Sequence, residues 1–142
     1  MLFRSSHLIL SGAASVTISQ ETDWKVSDVL ALATAHYAPH DIAAAPASGS
    51  FSSAGMIIAP CSMKTLSAVA NSYAANLVSR AADVCLKEGR PLVLMVRETP
   101  LHLGHLRLMT TAAEIGAVVF PPVPALYSQP EGLDEEIGRA HV

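Results

Sequence analysis

The chain is poor in several things at once, and each shortage removes a class of function. Nine Lys and Arg stand against twelve Asp and Glu in 142 residues, a formal net charge of −3, so the dense basic surface that nucleic acid demands is absent. Charged residues make up only 15% and aromatics 5%. No apolar run approaches the roughly 20 residues that span a bilayer, because Ser, Gly, Pro or charge interrupts each one. The N-terminal apolar stretch Leu8-Ile9-Leu10 is too short for the core of a secretory signal. Two cysteines, Cys61 and Cys85, form neither a disulfide framework nor a metal cluster, which agrees with a reducing, cytoplasmic compartment.

What the chain has in quantity is Ala, Val, Leu and Ile, with 51% hydrophobic residues overall, enough for one domain with a substantial core and incompatible with disorder. The apolar runs alternate in type. His7 to Leu10, Gly55 to Pro60, Pro91 to Val96 and Ala117 to Phe120 are short and apolar throughout, as strands buried on both faces are. Between them apolar residues recur at helical spacing. Val26, Val29, Leu30 and Ala33 predict a short helix ending near Pro39. Leu66, Val69, Ala70, Tyr73, Leu77, Ala81 and Val84 predict one long helix stopped by Gly89, and Leu103 to Ile115 another, stopped by Gly116. Residues 43–53 have loop composition. Strands alternating with helices predict an α/β fold, a doubly wound parallel sheet covered by helices.

In such sheets ligands bind beyond the carboxyl ends of the strands, which singles out three places. In Cys61-Ser-Met-Lys-Thr65, hydroxyls and an ammonium stand at a helix start, where free N–H groups suit phosphate. Ser62 or Thr65 could equally cap the helix, and Cys61 could be a thiolate nucleophile or packing. Arg97-Glu98 follows the most apolar strand, where a cation can hold phosphate and a carboxylate can move a proton, or the two can form an ion pair. The prolines 121, 122 and 124 could present Tyr127 over a site or carry the chain around an edge. His102 and His105 are a weak metal pair without companions. Ser11-Gly-Ala-Ala-Ser15 lacks the glycines of a dinucleotide loop, and no Walker loop is present.

Taken together, Ala47-Ser-Gly-Ser-Phe51, Pro60-Cys-Ser-Met-Lys-Thr-Leu-Ser67, Arg80-Ala-Ala-Asp83, Leu86-Lys-Glu-Gly-Arg-Pro-Leu-Val-Leu94, Arg97-Glu-Thr-Pro-Leu-His-Leu-Gly-His-Leu106 and Pro121-Pro-Val-Pro-Ala-Leu-Tyr127 closely resemble the UbiX-like flavin prenyltransferases of the HFCD-type flavoproteins. The likeness runs from about His7 to Leu133. It implies a Rossmann-like, flavodoxin-like three-layer α/β/α fold and no metal. The implied reaction moves a dimethylallyl group from dimethylallyl phosphate to reduced FMN and gives the prenylated flavin that UbiD-type decarboxylases use. Ser11, Ser62, Met63, Lys64, Thr65 and Arg97 match FMN-contacting positions of the family, and Lys87 and Tyr127 match positions around the prenyl phosphate. Glu21 and Glu98 match its proton-transfer carboxylates. A large homo-oligomer is implied as well.

The alternatives are another flavoprotein of this fold, such as a phosphopantothenoylcysteine decarboxylase, and a non-enzymatic FMN-binding module. Gly12 departs from the family, which has Lys there. The family's first strand with its Gly-Ala-Ser-Gly-Ala flavin loop, and its last helix with a basic residue for the prenyl phosphate, are not found. Met1 to Ser5 and Glu136 to Val142 resemble translated sequencing adapters. The expectation is therefore a single incomplete flavoprotein domain over 1–142, with a natural segment of 6–135.

Overall fold

The computed structural model describes residues 5–123. Strands and helices alternate as β1 (His7–Ile9), α1 (Gly12–Glu21), α2 (Val26–Ala31), β2 (Ala35–Tyr37), β3 (Met56–Cys61), α3 (Met63–Ala70), α4 (Leu77–Lys87), β4 (Leu92–Val96), α5 (Leu103–Glu114) and β5 (Val118–Val119). Every strand pairing is parallel. β1 pairs with β2, and β4 lies between β3 and β5. This is the α/β organisation that the alternation of apolar runs predicts. Among the described residues, β1 and β3 each have one neighbour only, and the side chain of Ile57 on β3 is largely exposed.

The core gathers around β4. Leu92, Leu94 and Val96 sit two residues apart on one face of the pleat, and all three are buried. They join a cluster with Leu66 and Val69 of α3, Ala82 and Cys85 of α4, and Ala112 of α5. Each leucine in such a place contributes about 1.5–3 kcal/mol through burial. Three helices thus converge on one strand and hold its end, and the residues after it, in a defined place.

Two sequence expectations are corrected. The long apolar pattern from Leu66 to Val84 is two helices. Asn71 ends α3, Ser72 takes a left-handed φ of 51°, and Asn76 opens α4 with a capping box. In that box the Asn76 side chain accepts from Ser79 N at 3.0 Å, and the Ser79 hydroxyl accepts from Asn76 N at 3.2 Å. Periodicity missed the break because both helices face one core, while Tyr73, counted as part of the stripe, is exposed. The helix expected to run toward Pro39 stops at Ala31, and Ala35–Tyr37 forms β2 instead. That strand is made by its partner: Ala35 N donates to Ser6 O, and Ser6 and Thr34 exchange side chain to backbone bonds. Three residues are too few to show a period of their own.

Candidate functional site

β4 delivers Arg97 and Glu98 at its carboxyl end, where both are exposed. They border a cleft of about 410 Å³ whose walls are residues 96–99 on one side and 121–123 on the other. The second wall is held by main-chain pairing: β5 lies beside β4, and Phe120 N donates to Leu94 O at 2.9 Å just before the prolines. The Arg97 guanidinium has no hydrogen bond or ion pair among the described residues. Glu98 accepts from Thr99 N at 3.2 Å. The two side chains therefore form no ion pair with each other, and the cleft offers a cation and a carboxylate side by side. Tyr127 lies outside the described residues.

Two helix starts stand at carboxyl ends of other strands. Ser11 follows β1 and caps α1, its hydroxyl accepting from Ala14 N at 3.1 Å. Ser62 follows β3 and caps α3, accepting from Thr65 N at 3.3 Å, with the Thr65 hydroxyl 3.2 Å away. The capping role that the sequence left open is thus filled, and Met63 packs against the core. Neither helix has an acidic residue in its first turn, so no carboxylate competes there for the remaining N–H groups and the positive end of the dipole. Lys64 is exposed and borders a separate hollow of about 280 Å³ along α3, with Asn71 and Tyr73. Cys61 is fully buried, and burial pushes its thiol up to about 11. A thiol so protonated is a packing group and no nucleophile at neutral pH.

Among the described candidates only Arg97 and Glu98 line the cleft. Lys87 ends α4, on the chain's approach to β4, and donates to the Glu88 carboxylate at 2.7 Å. That hydrogen bond, with the ammonium's charge, holds the Glu88 carboxyl below its ordinary range. Lys87 precedes β4 and Arg97 follows it, so the two stand at opposite ends of the strand. Glu21 is the exposed last residue of α1, at the opposite end from the Ser11 cap. His102 caps α5, its Nδ1 accepting from Gly104 N at 3.0 Å, and its ring lies tilted against that of His105. No group of three metal-ligating side chains exists among the described residues.

Sequence reasoning missed Arg80 and Arg90. Both reach carbonyls of the loop over residues 47–51, more than 30 residues away in sequence. Their only signal was membership of the motifs around Asp83 and Gly89, because spacing along a chain says nothing about a contact that distant.

Comparison with known proteins places this geometry among relatives. The profile of the family described as Flavoprotein matches residues 3–140. The flavin prenyltransferase UbiX of Escherichia coli K12 is 60% identical over 134 residues, covering 94% of this chain and 71% of that protein. The flavin prenyltransferase UbiX of Thauera aromatica is 61% identical over 133 residues, covering 94% and 69%. Among solved structures, AnUbiX (PadA1) in complex with FMN and dimethylallyl pyrophosphate superposes with a TM-score of 0.90 at 48% identity, covering 94% of this chain and 73% of that one. A dodecameric FMN-dependent UbiX-like decarboxylase from Escherichia coli O157:H7 gives a TM-score of 0.88 at 49% identity, covering 92% and 72%.

Proposed function

Since this chain belongs to the flavoprotein family and, within it, to the flavin prenyltransferases, we propose that the cleft beside Arg97 and Glu98 is where it joins a dimethylallyl group to reduced FMN. The enzyme is a transferase. It takes the five-carbon group from dimethylallyl phosphate, and the prenylated flavin goes to UbiD-type decarboxylases. The observation that carries the placement is the exposed Arg97–Glu98 pair on the rim of the cleft, at the end of the most deeply buried strand.

The residues present fit the flavin and its phosphate. Arg97 is a guanidinium without a protein partner among the described residues, and the starts of α1 and α3 carry no acid to repel an anion. We assign Ser11, Ser62, Met63, Lys64, Thr65 and Arg97 to holding FMN, chiefly through helix N–H groups, hydroxyls and two cations. When bound, reduced FMN supplies the electron-rich ring that receives the five-carbon group. Breaking the allylic C–O bond leaves negative charge on the departing phosphate, and we assign its stabilisation to Arg97, Lys87 and Tyr127. Closing the new ring forms a C–C bond as the flavin carbon loses a proton and the alkene of the five-carbon group gains one, and Glu98 is the base that takes the flavin proton. Glu21 is proposed for the other proton transfer, on a helix end remote from the Ser11 cap.

Lys87 precedes β4 and Arg97 follows it, so in this proposal Lys87 serves the phosphate of a neighbouring copy in a homo-oligomer. The dodecameric relative from Escherichia coli O157:H7 supports a homo-oligomer. The described residues contain no helix long and apolar enough to cross a membrane. Both cysteines are free and buried, which supports a cytoplasmic location.

Flavin capture tests the assignment. Titrating FMN into the protein is expected to quench flavin fluorescence, and Arg97→Ala is expected to weaken binding about tenfold, the worth of one charged hydrogen bond. Equal affinity of the variant and the parent chain would remove Arg97 from the flavin site.

A further inference from the structure

The loop between β2 and β3 has little regular structure of its own. Its single short 3-10 turn, Ala45–Ala47, buries Pro46. Residues at both ends of α4 fasten the loop's middle. Arg80, near the start of the helix, donates through Nε to Ala47 O at 3.1 Å and pairs with Asp83. Arg90, just past the end, donates from its two terminal nitrogens to Phe51 O at 2.6 Å and Gly49 O at 2.8 Å. Such a fork on two carbonyls fixes orientation as well as distance.

The aim of Arg90 comes from how α4 ends. Gly89 takes a left-handed φ of 65°, its N–H donates to Leu86 O at 3.0 Å, and Arg90 N donates to Cys85 O at 2.8 Å. This pair of bonds is the Schellman ending, which needs glycine at the turn. Pro91 then constrains the backbone entering β4. The clamp presses the loop against the last turn of α4. A Cβ on Gly49 would collide with the Glu88 carboxylate and lie 3.1 Å from Lys87 Nζ. Gly49 and the Lys87–Glu88 pair therefore share one space, and the place of the ammonium depends on where the loop is held.

We propose that Arg90 is a positioning residue for the transfer reaction: by bridging the carbonyls of Gly49 and Phe51 it holds the loop against Lys87 and so fixes the ammonium that meets the prenyl phosphate. The inference rests on the role given to Lys87 above. Arg90 itself acts through the loop, and a lysine in its place can satisfy one carbonyl but not the fork.

Steady-state prenyl transfer and amide hydrogen exchange over residues 48–52 are measured for the parent chain, Arg90→Ala and Arg90→Lys. Arg90→Ala is expected to raise KM for dimethylallyl phosphate about tenfold or more, with kcat within about threefold and FMN affinity unaltered. Arg90→Lys recovers part of the KM, and exchange in the loop quickens in Arg90→Ala. An active Arg90→Ala with the parent's KM overturns the positioning role, and unchanged exchange overturns the clamp. A parent chain that transfers no prenyl group contradicts the function proposed above and the positioning role with it, while exchange still decides whether the clamp exists.

Discussion

Glu98→Gln is expected to lower the rate of prenylated-flavin formation by about 10²–10⁴-fold, the usual worth of a positioned general base, while leaving FMN binding and the melting temperature close to those of the parent chain. The substitution keeps the shape of the side chain and an oxygen that can accept from Thr99 N, the one bond Glu98 makes among the described residues. It removes only the capacity to take a proton. Because Glu98 is exposed and makes no ion pair among the described residues, no buried partner is left unsatisfied and the fold has no reason to respond. Single-turnover assays with reduced FMN, read by chromatography of the flavin, separate the two steps. Attachment of the five-carbon group should persist better than ring closure, since Glu98 is assigned to the proton that leaves the flavin carbon when the ring closes. A variant that closes the ring at the parent's rate would remove Glu98 from the chemistry.

Leu94→Ala carries the largest expected effect on stability. Leu94 is fully buried in the middle strand of the three-stranded sheet, opposite Ile58 on one side and Val119 on the other. Truncation loses the transfer free energy and leaves a cavity, about 2–5 kcal/mol together, against a total stability of about 5–15 kcal/mol for a domain. The melting temperature should fall by about 10 °C or more. The consequence reaches the site, because the same strand ends in Arg97 and its carbonyl anchors Phe120 at the root of the opposite wall. Flavin affinity is expected to decline with temperature earlier than in the parent chain. Calorimetry showing an unchanged transition would mean that the core around β4 does not hold the domain together.

The parts that the sequence makes legible are those where chemistry repeats along the chain. Fully apolar runs marked β3 and β4 to within a residue or two, although β3, with Ile57 largely exposed, is not buried on both faces among the described residues, and Gly89 and Gly116 marked the ends of α4 and α5, because left-handed helix ends tolerate few residue types. Arg97 and Glu98 could be picked out for the same kind of reason: they are the first charged residues after the most apolar strand, where an open α/β sheet presents its ligands. Other features depend on contacts that sequence spacing does not encode. β2 exists because β1 offers an edge, the break at Asn71 is hidden by a hydrophobic stripe that two helices share, and the arginine clamps join residues more than 30 positions apart. The separation of Lys87 from Arg97 is likewise visible only once the strand between them has a direction.

Transferase chemistry at the cleft is decided by the mass of the flavin after anaerobic incubation of the chain with FMN, a reductant and dimethylallyl phosphate. FMN carrying one added five-carbon unit is expected, formed with release of inorganic phosphate. Flavin that is bound but recovered unmodified, with dimethylallyl phosphate intact, would contradict it and leave a flavin-binding domain without transferase chemistry.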